Sequence, residues 1–263
     1  MQPAAQPAFD VSVVTACYNS AKTIERTIDS VQAATGPWRI QHCFADGGST
    51  DGTVDIIRRR MRPGDRILSE PDDGISDAFN KGVGLAEGAY VHILNSDDWV
   101  APDFWDILLG ASQDKTVPML HSDALFYAEG KPFRLVKGSP DYHQHLDHCM
   151  RGIGHPCLLA HRAIFEQIGR FDTGLRYSMD LEWLQRAHDN GYTSVYVPGA
   201  VAHYLTDGNS SGGGGMEESL DLARKRGVPA WRIALLRAGR VLRLRAHKTL
   251  TGLRARAYKA DAA

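Results

Sequence analysis

Residues 11–20 read Val-Ser-Val-Val-Thr-Ala-Cys-Tyr-Asn-Ser. The first six form a short apolar run rich in β-branched residues, the signature of a buried strand. Tyr18, Asn19 and Ser20 follow at its end, and Ala21 to Ala34 then places Ile24, Ile28 and Val31 on one helical face. The same order recurs downstream. Ile40–Ala45 reads as a strand, residues 46–53 (DGGSTDGT) as a turn-rich loop and Val54–Met61 as a helix. Arg66–Ser69 reads as a third strand, Ile75–Glu87 as a helix closed by Gly88, and Tyr90–Leu94 as a fourth strand ending in Asn95-Ser96-Asp97-Asp98. Strands alternating with helices predict an α/β fold with βαβ units and a mainly parallel sheet. Ligands of such sheets lie beyond the carboxyl ends of the strands. Three polar loops, at Tyr18-Asn19, Asp46–Asp51 and Asn95–Asp98, are therefore expected on one rim.

Beyond Pro102 the alternation is less regular. Val117–Leu135 accommodates two strands around Ala128-Glu129-Gly130, Leu158–Ile168 and Met179–Asn190 read as helices, and Thr193–Val197 reads as a strand. The chain divides into a first half, 1–101, a second half of the same domain, 102–207, a glycine-rich flexible loop, 208–223, and a basic tail, 224–263. No internal repeat is evident.

With 263 residues, 43% hydrophobic and 23% charged, the chain suits one large globular domain with a small appendage. No apolar run is long enough to span a membrane. Met1–Ala8 lacks the basic start and apolar core of a secretory signal. The four cysteines, Cys17, Cys43, Cys149 and Cys157, form no close pair, which points to reduced thiols in a cytoplasmic protein. The net charge of −1 conceals an asymmetry. Residues 224–263 hold 12 of the 30 Lys+Arg and one of the 31 acids, which is +11 against −12 for the remainder.

Asp97-Asp98 after an apolar strand admits two readings, a strand-end turn with a helix cap or a site for Mg²⁺ or Mn²⁺, hard cations that favour oxygen ligands. The convergence of three polar loops favours the metal. The 46–53 loop is neither a Walker A loop nor a GxGxxG turn. Asp46 at the strand end is placed to accept hydrogen bonds from a base or ribose, or else begins a plain turn in which Thr50 or Asp51 caps the next helix.

Four stretches together, VSVVTACYNS (11–20), DGGSTDGT (46–53), LSEPDDGISDAFNKGVGLAEGAYVHILNSDDW (68–99) and GIGHPCLLAHRAIFEQIGRFDTGLRYSMDLEWLQRA (152–187), resemble the family-2 glycosyltransferases, and within them the bacterial exopolysaccharide, capsule and O-antigen enzymes. The resemblance spans residues 10 to 205. It implies the glycosyltransferase A-type fold, a Rossmann-like mixed sheet. It also implies an inverting transfer from a UDP-, GDP- or dTDP-sugar to a glycan or lipid-linked glycan in polysaccharide biosynthesis. Ala16, Tyr18 and Asp46 match the nucleotide-contacting positions. The family commonly has Asp-Asp-Gly-Ser where this chain has Asp46-Gly47-Gly48-Ser49, so a second acid is missing. Asn80 and Lys81 match an Asn-Lys-Gly segment under the donor, with Lys81 either facing phosphate or solvated. Asn95-Ser96-Asp97-Asp98 matches the Asp-X-Asp-like element, with Asp98 as direct metal ligand and Asp97 beside it. Asp180 matches the general base at the start of a late helix, with Glu182 next in line and helix capping as its plain reading. His155 matches an acceptor-side motif, and His203 the late histidine that some relatives use as a further metal ligand.

Two further readings of function stand beside this one: a polyprenyl-phosphate sugar synthase, and a catalytically inactive nucleotide- or glycan-binding module. Residues 208–215 either close over the diphosphate or serve as a linker. In the tail, Trp231, Leu235, Ala238 and Leu242 fall at helical spacing, with Arg232, Arg237, Arg240 and Arg243 around them. A basic amphipathic helix with tryptophan suits an anionic membrane surface, here the inner face of the cytoplasmic membrane. Packing on the acidic body is the alternative. Few aromatics interleave the arginines, so nucleic acid is not expected as a partner.

Overall fold

The computed structural model describes residues 7–112, 117–146, 152–206 and 214–239. Its first half follows the alternating pattern: β1 (Phe9–Cys17), α1 (Ile24–Gln32), β2 (Ile40–Asp46), α2 (Thr53–Arg60), β3 (Arg66–Ser69), α3 (Ile75–Leu85) and β4 (Gly88–Ile93). The four strands are parallel, in the order β3-β2-β1-β4. β1 is buried from Asp10 to Cys17, as a central strand covered on both faces must be. On one side α1 and α2 supply Ile24, Ile28 and Ile57 against Cys17 and Phe44. On the other, α3 lies so close that a Cβ at Gly82 would sit 2.3 Å from Val14 Cγ1. Only glycine permits that approach.

The second half comprises β5 (Trp99–Val100), α4 (Phe104–Gly110), β6 (Met119–Ala128), β7 (Lys131–Val136), α5 (Tyr142–Leu146), a 3₁₀ turn (His155–Cys157), β8 (Leu158–His161), α6 (Arg162–Ile168), α7 (Met179–Asp189), β9 (Ser194–Leu205) and α8 (Gly214–Lys225). Its strands extend the same sheet to nine, in the order β3-β2-β1-β4-β8-β6-β9-β5, with β7 on β6. β8 is antiparallel to both β4 and β6, and β9 runs parallel to β6. The sheet is therefore mixed, not mainly parallel.

Four local expectations change. Leu158–Ile168 is not one helix: Leu158–His161 fills the gap between β4 and β6 as a strand, and the helix starts at Arg162. Gly88 does not cap α3, which ends at Leu85, but opens β4. The strand expected at 193–197 continues through Pro198 and Gly199 to Leu205, with a register shift opposite β6 between His121 and Asp123. The glycine-rich segment expected to reach 223 is helical from Gly214, because Leu220, Leu222 and Ala223 bury themselves in the core.

The start of the tail is a helix over residues 230–239. Ile233 is buried, and Val228 and Leu236 pack beside it against the core. The face singled out by sequence points the other way: Trp231 and Leu235 are 66% and 63% exposed. Leu242, Arg240 and Arg243 lie outside the described residues, as do 207–213 of the glycine-rich segment. Among the described residues no helix is long and apolar enough to cross a membrane.

Candidate active site

A cleft of about 480 Å³ opens at the carboxyl ends of β1, β3 and β4. Ala16 to Ser20, Lys22 and Thr23 form one wall, Asp72, Gly74, Ile75 and Ala78 a second, and Asn95, Ser96 and Asp97 the third, with Leu205 of β9. This is the rim where the alternating pattern places a ligand. Two of the three expected loops line it directly. The third, 46–53, buttresses the first: Asn19 N–H donates to Ser49 Oγ at 2.8 Å, Thr50 N–H to Asn19 Oδ1 at 3.0 Å, and Ala21 N–H to Asp51 Oδ2 at 2.9 Å. Ser20 and Ser96 hydroxyls, 2.8 Å apart, tie the β1 and β4 loops together.

Asp46 is buried and its carboxylate is fully used by its surroundings. Oδ2 accepts from Gly48 N–H (3.1 Å), Ser49 N–H (3.0 Å) and Ser69 Oγ (2.7 Å), and Oδ1 from Ser49 Oγ. It shapes the loop and is not among the residues lining the cleft. The acid on that wall is Asp72, which the sequence reading did not single out. Its Oδ1 accepts from Gly74 N–H at 2.9 Å, and its Oδ2 would lie 2.4 Å from a Cβ at Gly47. Asp72 thus occupies the space that a side chain at position 47 would need. Lys22, also not foreseen, is exposed at the cleft and has no ion pair among the described residues.

Lys81 does not face the cleft as a phosphate-binding cation. Its ammonium bonds Glu70 and Asp77 at 3.1 Å each and the Pro71 carbonyl at 2.8 Å, clamping the loop that carries Asp72. Asn80 likewise points away from the donor side. Its Nδ2 donates to the Phe171 carbonyl and its Oδ1 accepts from Phe171 N–H, each at 2.9 Å, pinning the two halves together.

The adjacent acids are separated by burial. Asp98 is 1% exposed, and its Oδ1 accepts from Leu205 N–H at 2.9 Å and its Oδ2 from Asn95 Nδ2 at 3.2 Å. Burial first, then Asp97 alongside, pushes the Asp98 carboxyl well above the usual carboxylate range. Asp97, unlike Asp98, lines the cleft. Asn95 Oδ1 is buried without a hydrogen-bond partner among the described residues. Asn95 and Asp97 both line the cleft, and hard oxygens of this kind fit Mg²⁺ or Mn²⁺. The His203 ring stacks on Trp99 with centroids 5.1 Å apart, and its Nδ1 lies 3.1 Å from Tyr127 Oη. Arg26 covers the Trp99 ring at 3.6 Å and donates to the Asp97 carbonyl at 2.8 Å. Among the described residues no three His, Cys, Asp or Glu side chains gather into a group that could hold a metal ion.

Asp180 is the second residue of α7 and is 8% exposed. Its Oδ2 lies 3.3 Å from His155 Nδ1, so the structure pairs these two sequence candidates. His155 Nε2 is buried with no hydrogen-bond partner among the described residues, its ring 5.6 Å from that of Phe79. Burial raises the Asp97 carboxyl above its usual range, and its own backbone N–H, then His155 and Arg26, act against that rise. Glu182 is consumed by Arg186 one turn on, at 2.8 and 2.9 Å. In the first turn Asp180 Oδ1 accepts from Leu181 N–H at 2.8 Å, in keeping with its capping reading, while the three residues before the helix donate their N–H groups to Glu218, about forty positions downstream with no local sequence signal.

Solved structures with this architecture include Staphylococcus aureus TarS residues 1–349 in complex with UDP-GlcNAc. That match has a TM-score of 0.65 and 16% identity, covering 82% of this chain and 66% of that one. Another is the mannosyltransferase PcManGT from Pyrobaculum calidifontis in complex with GDP-Man and Mn²⁺, at TM-score 0.57 and 22% identity, covering 77% and 59%. These likenesses establish the fold. In sequence, the chain is 35% identical over 115 residues to the hyaluronan synthase of Pasteurella multocida, 43% of this chain and 12% of that protein. It is 36% identical over 102 residues to the succinoglycan biosynthesis protein ExoO of Rhizobium meliloti (strain 1021), 38% of this chain and 29% of that protein. The chain spans less than a third of either relative. The sequence profile described as glycosyl transferase family 2 matches residues 12–167, more than half of the chain. The chain belongs to glycosyl transferase family 2.

Proposed function

We propose that the protein is an inverting, metal-dependent glycosyltransferase that moves a sugar from a nucleoside diphosphate to a saccharide acceptor in polysaccharide biosynthesis. The observation that carries this reading is the cleft itself. Tyr18, Asp72, Lys22 and Asp97 surround one space at the strand ends, and the buried Asp180–His155 pair lies within electrostatic reach of Asp97. Both sequence relatives are named for polysaccharide products, and both structural neighbours were solved with nucleotide sugars.

In this reading the nucleotide lies against Ala16 and Tyr18, with Asp72 accepting hydrogen bonds from its base or ribose. Lys22 faces the diphosphate. Asp97, with Asn95 Oδ1, holds Mg²⁺ or Mn²⁺, which when bound neutralises charge on the diphosphate leaving group. Asp180 accepts the proton of the acceptor hydroxyl as that oxygen forms its bond to the anomeric carbon and the bond to diphosphate breaks. His155 Nδ1, 3.3 Å from Oδ2, holds the Asp180 carboxylate in place. Asp46, Asn80 and Lys81 serve the same chemistry indirectly, by shaping the loops.

The acceptor we assign is a lipid-linked glycan at the inner face of the cytoplasmic membrane. The 230–239 helix presents Trp231 and Leu235 to solvent at the start of a tail carrying +11, which suits an anionic interface. Calorimetry with UDP, GDP and dTDP tests the donor assignment. Binding of at least one nucleotide in Mn²⁺, and its loss in EDTA, is expected. Equal affinity in both would overturn the metal role, and no binding by any of the three would overturn the reading.

A further inference from the structure

We propose that Glu218 on α8 is a positioning residue for Asp180. The inference rests on the reading of Asp180 as the base. Every helix begins with N–H groups that have no intrahelical partner. At the start of α7, Ser178 supplies no side-chain cap. The N–H of Ser178 and those of the two residues before it are taken instead by Glu218, from a different element. Its Oε1 accepts from Arg176 N–H at 2.9 Å, and its Oε2 from Tyr177 N–H at 2.7 Å and Ser178 N–H at 2.9 Å. Carboxylate acceptors make these bonds stronger than neutral ones, and a negative charge suits a helix N-terminus.

The junction is reinforced around them. The Ser178 and Ser219 hydroxyls are 3.0 Å apart, both residues are buried, and Ser219 Oγ donates to the Gly215 carbonyl at 2.7 Å. α8 is itself seated in the core through Leu220, Leu222 and Ala223. The last three residues before α7 therefore hang on a rigid neighbour through one carboxylate.

Asp180 belongs to the first turn of α7, where its Oδ1 accepts from Leu181 N–H at 2.8 Å, and Glu218 holds the three residues that lead into that turn. The helix itself is anchored by its buried side chains, Met179, Leu181, Trp183, Leu184 and Ala187. Loss of the Glu218 bonds therefore frees the segment that leads into the turn bearing Asp180 and spares the rest. The direction of its carboxylate toward His155 is the quantity Glu218 fixes. Displacement of a reacting group by about 1 Å can cost on the order of 10²-fold in rate. The donor cleft is built from other loops and is untouched.

The test compares Glu218→Ala, Glu218→Gln and Asp180→Asn in the full chain. Nucleoside diphosphate release is followed on the best wild-type substrate from a panel of UDP-, GDP- and dTDP-sugars in Mn²⁺. In that reaction an acceptor or water oxygen bonds the anomeric carbon, the diphosphate leaves with the bonding pair, and the proton passes to Asp180. The expected result is kcat at least tenfold lower in Glu218→Ala, less affected in Glu218→Gln, with nucleoside diphosphate affinity within twofold of wild type in both. Hydrogen exchange at amides 176–182 reads the inference without substrate, and faster exchange in both variants is expected. Full activity or unchanged protection in Glu218→Ala, beside an inactive Asp180→Asn, would overturn the role of Glu218 alone. A parallel loss of kcat, affinity and thermal stability would reduce it to general folding. An active Asp180→Asn would overturn the base reading, and with it the purpose assigned to Glu218.

Discussion

Alanine at position 98 and alanine at position 97 are expected to do opposite things. Asp98→Ala deletes the acceptor of Leu205 N–H (2.9 Å) and of Asn95 Nδ2 (3.2 Å) at a site only 1% exposed. Each buried donor left without a partner costs about 1–3 kcal/mol. Relief of the buried charge offsets part of this, because burial already disfavours the ionised form of Asp98. A net loss of about 2–4 kcal/mol is expected. At about 2–4 °C per kcal/mol for a chain of this size, Tm falls by about 4 °C or more. Mn²⁺-dependent nucleotide binding should persist in whatever fraction stays folded. Asp97 lines the cleft. Asp97→Ala should change stability by about 0.5 kcal/mol or less and abolish the Mn²⁺ dependence of UDP or GDP binding. Thermal unfolding and calorimetry on the two variants separate the effects. A stable Asp98→Ala that has lost Mn²⁺-dependent binding, beside an Asp97→Ala that keeps it, would show that the buried acid is the ligand and refute the argument from burial.

Gly47→Ala should force Asp72 out of its present rotamer, since the new Cβ would lie 2.4 Å from Oδ2, and nucleotide affinity should drop by about tenfold, or about 1.4 kcal/mol. Combining it with Asp72→Ala should cost less than the sum of the two single changes in calorimetry, and strict additivity would contradict the contact. Asn80→Ala leaves the Phe171 N–H and carbonyl without their 2.9 Å partners and should destabilise by about 1–3 kcal/mol in denaturant titration, an unchanged midpoint counting against the pin. A chain ending at residue 239 should stay folded and sediment more weakly with anionic liposomes. Ending it at 223 also removes Val228, Ile233 and Leu236 from the core and should lower Tm, whereas equal Tm for both would mean the 230–239 helix is not part of the body.

The first half was readable from periodicity because each element there obeys a single rule. β1 and β4 are apolar runs covered on both faces, and α1 has one apolar stripe. The second half obeys constraints that local patterns do not carry. Leu158–His161 is a strand because β4 and β6 leave a gap between them, not because four residues of LLAH declare it. β9 passes through Pro198-Gly199, which locally reads as an end, because the register shift against β6 absorbs the break.

The site shows the same limit. Loops at strand ends identified the rim, and Asp97-Asp98 was visible as a pair, but which acid faces the cleft depends on Leu205, more than a hundred residues away. Asp46, Asn80 and Lys81 stand at motif positions, yet their polar atoms are spent on Ser69, Phe171 and Glu70. Asp72 was hidden because its importance comes from the missing side chain at Gly47. The tail helix carries two apolar faces, and the one with tryptophan drew the eye while Ile233 made the contact.

The central claim is that this cleft transfers a sugar using Asp180 as the proton acceptor. Its most direct test is the rate of nucleoside diphosphate release from a UDP-, GDP- and dTDP-sugar panel by wild type and Asp180→Asn, with donor affinity measured on the same preparations. The near-isosteric amide cannot take the acceptor proton, and loss of a general base costs roughly 10²- to 10⁴-fold. The account predicts release from at least one donor by the wild type, a fall of that size in the variant, and donor affinity unchanged. Release at the wild-type rate by Asp180→Asn, with the donor still bound, would contradict it.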